Sequence, residues 1–441
     1  MSVLVTNGLA TASVRARPSA FAGTFAALVF CATVVTASVA VAMSASRVPS
    51  SPEQYAVYEM GLVFSQVTVY MSIFVIGQVM ALAVSQRGRE SALLRAIGAG
   101  PWQIRRMVAT EALCTALLAL PAGYGLGAVV AWAWFGALEG SGMLPAGMTL
   151  HIGLGPLFAA LGTLVVCSQL GGFIAARRSS RTRPSAALAA AQVPGGERSG
   201  GVRGLISLVF LAGAVTLTVV AAVGSAENAG DVIPLVLLAY LVATGVGGPW
   251  LGRLATRAAA PVLRSVGGVA GELAVAGCRA RAGRLSAAIT PIAMVTAFAL
   301  AQFVSLAASD DIDATALFGT LLYAAFAGLI AANTLVMLTL ERLREFSLLR
   351  TIGAEKRQVR AVVLAESAIT ALAGVGAGAV IGCAVMAPLG GRTGTPMSAL
   401  PVWAWAATLS TGALLVWAAS AVPLGRMFRV RPIDGVTRRS A

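Results

Sequence analysis

The sequence predicts an all-α integral membrane protein: about ten transmembrane helices, built as two parallel four-helix repeats joined by two extra spans. Three observations carry that prediction. Apolar runs long enough to cross a bilayer recur along the 441-residue chain, basic residues collect at alternate loops between them, and one short charged segment is written twice. Because 58% of the residues are hydrophobic and only 11% are charged, composition overrules the two or three soluble domains that length alone would suggest.

A helix crosses the hydrocarbon core with roughly 20 apolar residues. Ten such runs are present: Phe21–Met43, Tyr58–Val84, Met107–Trp134, Leu154–Ala176, Leu205–Val223, Val232–Leu254, Leu285–Ala307, Ala316–Leu340, Val362–Leu389 and Val402–Val422. Only helices and closed barrels satisfy their backbone hydrogen bonds in lipid, and runs of this length select the helix.

The formal charge of +15 would invite a nucleic-acid partner in a soluble protein, but its placement argues against one. Arg15 and Arg17 precede the first span, and Arg87, Arg89, Arg95, Arg105 and Arg106 lie between the second and third. Arg177, Arg178, Arg181 and Arg183 follow the fourth, and Arg253, Arg257, Arg264, Arg279, Arg281 and Arg284 join the sixth to the seventh. Arg342 to Arg360 and the tail from Arg426 to Arg439 belong to the same side. The opposite loops hold only Arg47 and Arg392 among basic residues, beside Glu53, Glu139, Glu227, Asp231, Asp310, Asp311 and Asp313. The positive-inside rule therefore places both termini in the cytoplasm of a cell whose plasma membrane holds the chain. The first span resembles a signal peptide, but it is long for one, and its removal would leave the topology uneven; a retained anchor is expected. Cys31, Cys114, Cys167, Cys278 and Cys383 show no paired spacing, so neither a metal site nor a disulfide framework is expected.

The duplication is read at a constant shift of 255 positions, which carries Glu90 to Glu345, Arg95 to Arg350, Gly98 to Gly353, Gln103 to Gln358, Arg105 to Arg360 and Glu111 to Glu366. Gly123 and Gly127 fall on Gly378 and Gly382 at the same shift. From Arg89 to Ala99, 8 of 11 residues equal those from Arg344 to Ala354. A weaker echo links "LATASVRARPS" at Leu9 to "LAVAGCRARAG" at Leu273, ahead of spans one and seven. The expected organisation is a first four-span unit over residues 1–190, a linker with spans five and six over 191–265, and a second four-span unit over 266–441. With two spans between them, both units start in the cytoplasm and are related by an axis along the membrane normal.

The repeated segment reads as a short helix, a tight turn and a transmembrane helix. Leu93, Leu94 and Ile97 share one face, Arg95 points away, and Gly98 suits the left-handed position that ends a helix. Pro101 then starts the next helix. Leu348, Leu349, Ile352 and Gly353 repeat the plan. One copy alone would be read as an interfacial hairpin resting on membrane lipids. Two near-identical copies point instead to one surface presented twice to a symmetric cytoplasmic partner.

On "R-E-x-x-L-L-R-x-I-G-A…Q…R…E…G…G" the chain resembles the FtsX-like permease family, the membrane component of type VII ABC transporters; its duplicated ten-span layout is similar to bacitracin-resistance-type permeases. The resemblance implies that this segment is a coupling helix docking into a groove on a separate cytoplasmic ABC ATPase, which works as a dimer. It falls on Glu90, Leu93, Leu94, Arg95, Ile97 and Gly98, and on Glu345, Leu348, Leu349, Arg350, Ile352 and Gly353. ATP would then be bound by the partner, with no cofactor in this chain. Relatives carry a large external domain where this chain has only Ser44–Val57 and Ala308–Thr315. A substrate taken from the lipid or met at the outer leaflet is therefore expected.

Other candidates are weaker. Glu111 and Glu366 are carboxylates inside predicted spans, and such residues are functional candidates by default. Each lies within about two turns of the cytoplasmic boundary, where pairing with Arg105 or Arg360 would make it a structural anchor; coupling or proton handling is the other reading. "GYGLG" and "GVGAG" lack the strand that a nucleotide loop needs. Gly123 and Gly127, with Gly374, Gly378 and Gly382, have the spacing of helix-packing surfaces. Lys356 is the only lysine and has no phosphate-loop context, the outer cluster of Asp310, Asp311 and Asp313 reads as a solvated loop, and His151 is the single histidine. No catalytic constellation is expected. The leading expectation is a permease that exports or extracts an amphipathic substrate. Its rivals are an ATP-independent secondary transporter and a signalling permease that moves nothing.

Overall fold

The computed structural model describes residues 18–86, 98–180, 201–224, 226–280, 282–308, 325, 328, 348–351, 353–393 and 402–429. These residues are almost entirely helical. In chain order the helices are α1 (Pro18–Ala45), α2 (Pro52–Gln86), α3 (Pro101–Gly140), α4 (Leu154–Ser180), α5 (Gly201–Val223), α6 (Ala226–Ala280), α7 (Ala282–Ala308), α8 (Lys356–Thr393) and α9 (Val402–Arg429). Six of them, α1, α3, α4, α5, α6 and α8, contain described stretches long and apolar enough to cross a membrane. The protein is therefore an all-α, multi-pass membrane protein. The span read at Ala316–Leu340 lies outside the described residues except for Ala325 and Gly328.

The chain divides into two compact units, one holding α1–α4 and the other α5–α9. In the first, α1 is the central helix. Leu28, Cys31, Ala32 and Val35 of α1 pack with Ile76 and Met80 of α2, Val108, Ala112 and Ala116 of α3, and Ala160, Leu164 and Cys167 of α4. The small residues let backbones approach, which is how helices associate where water supplies no driving force between them. A Cβ on Gly123 would lie 2.8 Å from the Val29 carbonyl oxygen, and one on Gly127 would lie 2.8 Å from that of Thr33. Gly61 brings α2 equally close to Ser38 of α1, and Gly171 of α4 sits against Gly77 of α2.

Several helices outrun the spans read from the sequence. α3 holds 40 residues, about 60 Å at about 1.5 Å per residue, against a hydrocarbon core of about 30 Å. At the C-terminal end of α3 one face is covered by other protein, while Trp132 on another face stays exposed. Val41, Ala45, Val57, Trp134, Leu138 and Met148 form a second apolar core there, and the rings of Phe64 and Trp134 meet at 4.8 Å between centroids. The start of α2 at Pro52, six residues ahead of Tyr58, reflects the same core through Val57. Ser44 Oγ accepts the backbone N–H of His151 at 2.9 Å, and Tyr124 donates its hydroxyl to the Gly153 carbonyl at 3.1 Å, which ties the loop before α4 to the cap.

In the second unit, α5 lies along α6, with Ser207 Oγ donating to the Ala243 carbonyl at 3.0 Å. α7 and α8 form the close pair. A Cβ on Gly374 would lie 3.2 Å from the Ile289 carbonyl, one on Gly378 would strike the Ala293 carbonyl, and one on Gly382 would lie 3.2 Å from that of Ala297. α9 joins both, Gly412 meeting Val375 and Thr296, and Trp403 edging onto Phe303 at 6.2 Å.

α6 is the element whose form the hydropathy pattern does not show. Helix continues through the basic stretch beyond Leu254 and breaks only at Gly268, whose φ of 50° and ψ of −134° no other residue type adopts readily. There the chain doubles back. Gly271 sits against the Leu263 carbonyl, and Val275 and Cys278 pack with Ala255 and Ala260. Residues 269–280 form a return arm that leads into α7.

Candidate functional site

The turn of the second copy is built by backbone hydrogen bonds. Gly353 has φ 103°, its N–H donates to the Arg350 carbonyl at 3.3 Å, and the N–H of Ala354 donates to the Leu349 carbonyl at 2.9 Å. This pair of bonds and the left-handed glycine are the Schellman motif, which satisfies carbonyls left open at a helix end. α8 then begins with a reciprocal cap: Glu355 N–H donates to Gln358 Oε1 at 3.0 Å, and Val359 N–H donates to the Glu355 carbonyl at 3.1 Å.

In the first copy Gly98 has φ 101°. Gly100 N–H donates to Gln103 Oε1 at 2.9 Å, Ile104 N–H donates to the Gly100 carbonyl at 3.3 Å, and Pro101 takes the first helical position of α3. The glycine and the glutamine cap thus recur at the shift of 255. In the second copy Leu348 is 44% exposed, Leu349 and Arg350 are half-buried, and Gly353 is exposed; in the first, Trp102 is 69% exposed beside exposed Gln103 and Arg106. An exposed apolar side chain thus precedes the turn in the second copy and follows it in the first, at positions that do not correspond. Glu90, Leu93, Leu94, Arg95, Ile97, Glu345 and Ile352 lie outside the described residues.

Both carboxylates are buried. Glu111 is 4% exposed and Glu366 is 7% exposed. Their local settings match: the Glu111 carbonyl accepts the Thr115 hydroxyl at 2.8 Å, and the Glu366 carbonyl accepts that of Thr370 at 2.9 Å. Near Glu111, Gln169 of α4 donates Nε2–H to the Ala109 carbonyl of α3 at 3.2 Å. Glu366 faces the return arm, where a Cβ on Gly277 would lie 2.7 Å from its Oε1. Sequence reasoning named the carboxylates but neither Gln169 nor Gly277. Nothing in a lone glutamine or glycine announces such a contact; the Gly267–Gly268 pair is a breaker signal, but it marks an interruption and not the direction the chain then takes.

Gly123, Gly127, Gly374, Gly378 and Gly382 all sit at close approaches between helices. Their partners follow a second constant shift. Gly123 meets Val29 and Ala32 where Gly378 meets Ala293 and Thr296, and Gly127 meets Thr33 and Thr36 where Gly382 meets Ala297 and Leu300. That shift, 264 positions, also separates Leu9 from Leu273. Among the described residues no three His, Cys, Asp or Glu side chains gather as a metal would require, and the five cysteines are free thiols.

The described residues thus give a polytopic helical membrane protein in which a capped turn precedes a long, glycine-packed helix. The family model for the FtsX-like permease C-terminal domain matches residues 62–184 and again 317–432. The chain belongs to the FtsX-like permease family, whose members serve as ABC-transporter permeases working with an ABC ATPase. None of the curated proteins matches it.

Proposed function

We propose that this chain is the permease subunit of an ATP-driven transporter of the type VII class, one polypeptide supplying both halves. It docks a dimer of ABC ATPase subunits through Glu90–Gly98 and Glu345–Gly353. The observation that carries this reading is the recurrence of one turn at two places: a left-handed glycine at Gly98 and Gly353, then a glutamine cap at Gln103 and Gln358. The two family matches begin at 62 and 317, the same shift of 255, and the glycine contacts of α3 with α1 and of α8 with α7 repeat in register. A duplicated membrane unit in a ten-span chain is the economical account of all three.

The ATPase dimer, closing on ATP, moves the two turns and with them α2–α3 and the span before α8 together with α8. The substrate is amphipathic or hydrophobic: a lipid, a peptide antibiotic or a drug. Support for lipid-borne substrate comes from the link between α1 and α2, only residues 46–51, which leaves no room there for an external domain. The chain sits in a bacterial plasma membrane with both termini inside, as its arginines direct.

The test is double replacement of Leu94 and Leu349 by Asp. The permease should still insert, because both residues lie outside the spans, while co-purification of its co-expressed ATPase should fall at least tenfold. Unchanged co-purification would refute the docking assignment. Transport into vesicles with and without the ATPase separates this reading from a secondary transporter, which moves substrate without it, and from a signalling permease, which moves none.

A further inference from the structure

We infer that Glu366 is a positioning residue: its carboxylate latches the return arm of α6, residues 269–280, to α8, so that a displacement of the turn at Gly353 is passed to the arm and on to α7. The role in coupling rests on the reading of that turn as a docking surface. The latch itself rests on geometry within the second unit.

A carboxylate in a span is costly unless polar groups receive it, and Glu366 is 7% exposed. One surface it lies against is the arm at Gly277. A Cβ at Gly277 would lie 2.7 Å from Glu366 Oε1, so the carboxylate occupies the space that a side chain at this position would need. Glycine here is what admits the carboxylate to the arm.

The arm also packs through apolar side chains. Val275 and Cys278 share a core with Ala255 and Ala260 of α6, Ile289 of α7, and Ile369 and Ala373 of α8. Ile369 and Ala373 follow Glu366 by one and two turns. Apolar contact is non-directional: it resists separation of arm and helix but tolerates sliding along their axes. A carboxylate seated in the space that Gly277 leaves open fits one register, because neighbouring positions carry side chains, and so it resists that sliding. The arm is a distinct segment of the chain, bounded by the break at Gly268 and the start of α7 at Ala282. At the other end of the connection, α8 begins three residues after Gly353 and reaches Glu366 about 15 Å later at about 1.5 Å per residue. Turn, helix, carboxylate, arm and α7 thus form one mechanical series.

Hydrogen exchange of the full-length permease, alone and with its co-expressed ATPase, tests this. The variants are Gly277→Ala, which pushes the carboxylate off the arm; Glu366→Ala, which deletes it; and Glu366→Gln, which keeps its size and a hydrogen-bonding oxygen. In the permease alone, exchange across residues 269–280 should rise about tenfold in both alanine variants, as local opening becomes easier, and stay near wild type in the glutamine variant. ATPase co-purification should be unchanged in all three. On adding ATP, the arm should respond in wild type and Glu366→Gln but not in either alanine variant, while residues 353–360 respond in every protein. A purely structural carboxylate would not separate those two responses. Wild-type exchange in both alanine variants would overturn the latch, and an arm that still answers ATP in them would overturn its coupling role. If wild type fails to bind any ATPase, the docking reading falls, and exchange in the permease alone still decides the latch.

Discussion

At Gly353 the backbone takes φ 103°, and at Gly98 it takes 101°. A side chain in this region costs about 1–2 kcal/mol through the clash of Cβ with the following carbonyl. Gly353→Ala should therefore weaken the turn that holds Ala354 N–H on the Leu349 carbonyl. Exchange of the Ala354 amide should rise about five- to thirtyfold, with the spans unaffected, and unchanged exchange would mean that the turn is held by something other than its glycine. The need for glycine at both positions was readable from sequence, because a glycine after a leucine-rich helical stretch is a recognised stop. The burial of Glu111 and Glu366 was not readable to the same depth. Their position inside apolar runs marked them, but the contact of Glu366 with Gly277 joins residues 89 positions apart, through a reversal that only the fold creates.

At the scale of elements, the glycines of α3 and α8 act by what they leave out. Gly123 and Gly378 are each pressed against a carbonyl of the neighbouring helix, whereas Gly125 and Gly376 have nothing within 4 Å. Gly123→Val and Gly378→Val should each destabilise the purified protein by about 1–3 kcal/mol, the usual cost of overpacking. Gly125→Ala and Gly376→Ala should be neutral or gain about 0.5–1 kcal/mol from reduced backbone freedom. Thermal unfolding in one detergent checks all four, and equal effects at the paired positions would show that the spacing is incidental. Periodicity exposed the glycine faces but could not say which helix covers them. α1 and α7 follow a shift of 264 while α3 and α8 follow 255, so no single alignment brings both partners into register. The hairpin in α6 escaped for a related reason: its arginines mark a cytoplasmic segment by charge, and charge carries no information on whether that segment is helix or loop.

For the whole molecule, the proposed docking role of two segments on one chain implies a stoichiometry. A single permease should bind two ATPase subunits, and mass measurement of the complex in nanodiscs should give that ratio in the nucleotide-bound state. One ATPase per permease would mean that only one copy of the segment works. α5 and α6 belong with the second unit, where both contact α8 or its neighbours. The sequence had set these spans apart because neither repeat includes them; repeats record ancestry, and packing follows whichever apolar faces meet.

By itself the sequence determined the class of the protein and the duplicated segment, and its arginines predict the side of the membrane that each loop faces. These depend on composition, charge and identity along the chain, which need no neighbours to be read. Only the tertiary structure decided that α1 and α7 are the partners of the glycine faces, that the basic stretch after the sixth span is a helical hairpin, and that Glu366 closes against its return arm. Each is a contact between distant segments, set by the packing of small residues and backbone, and a glycine in a sequence does not say what it makes room for.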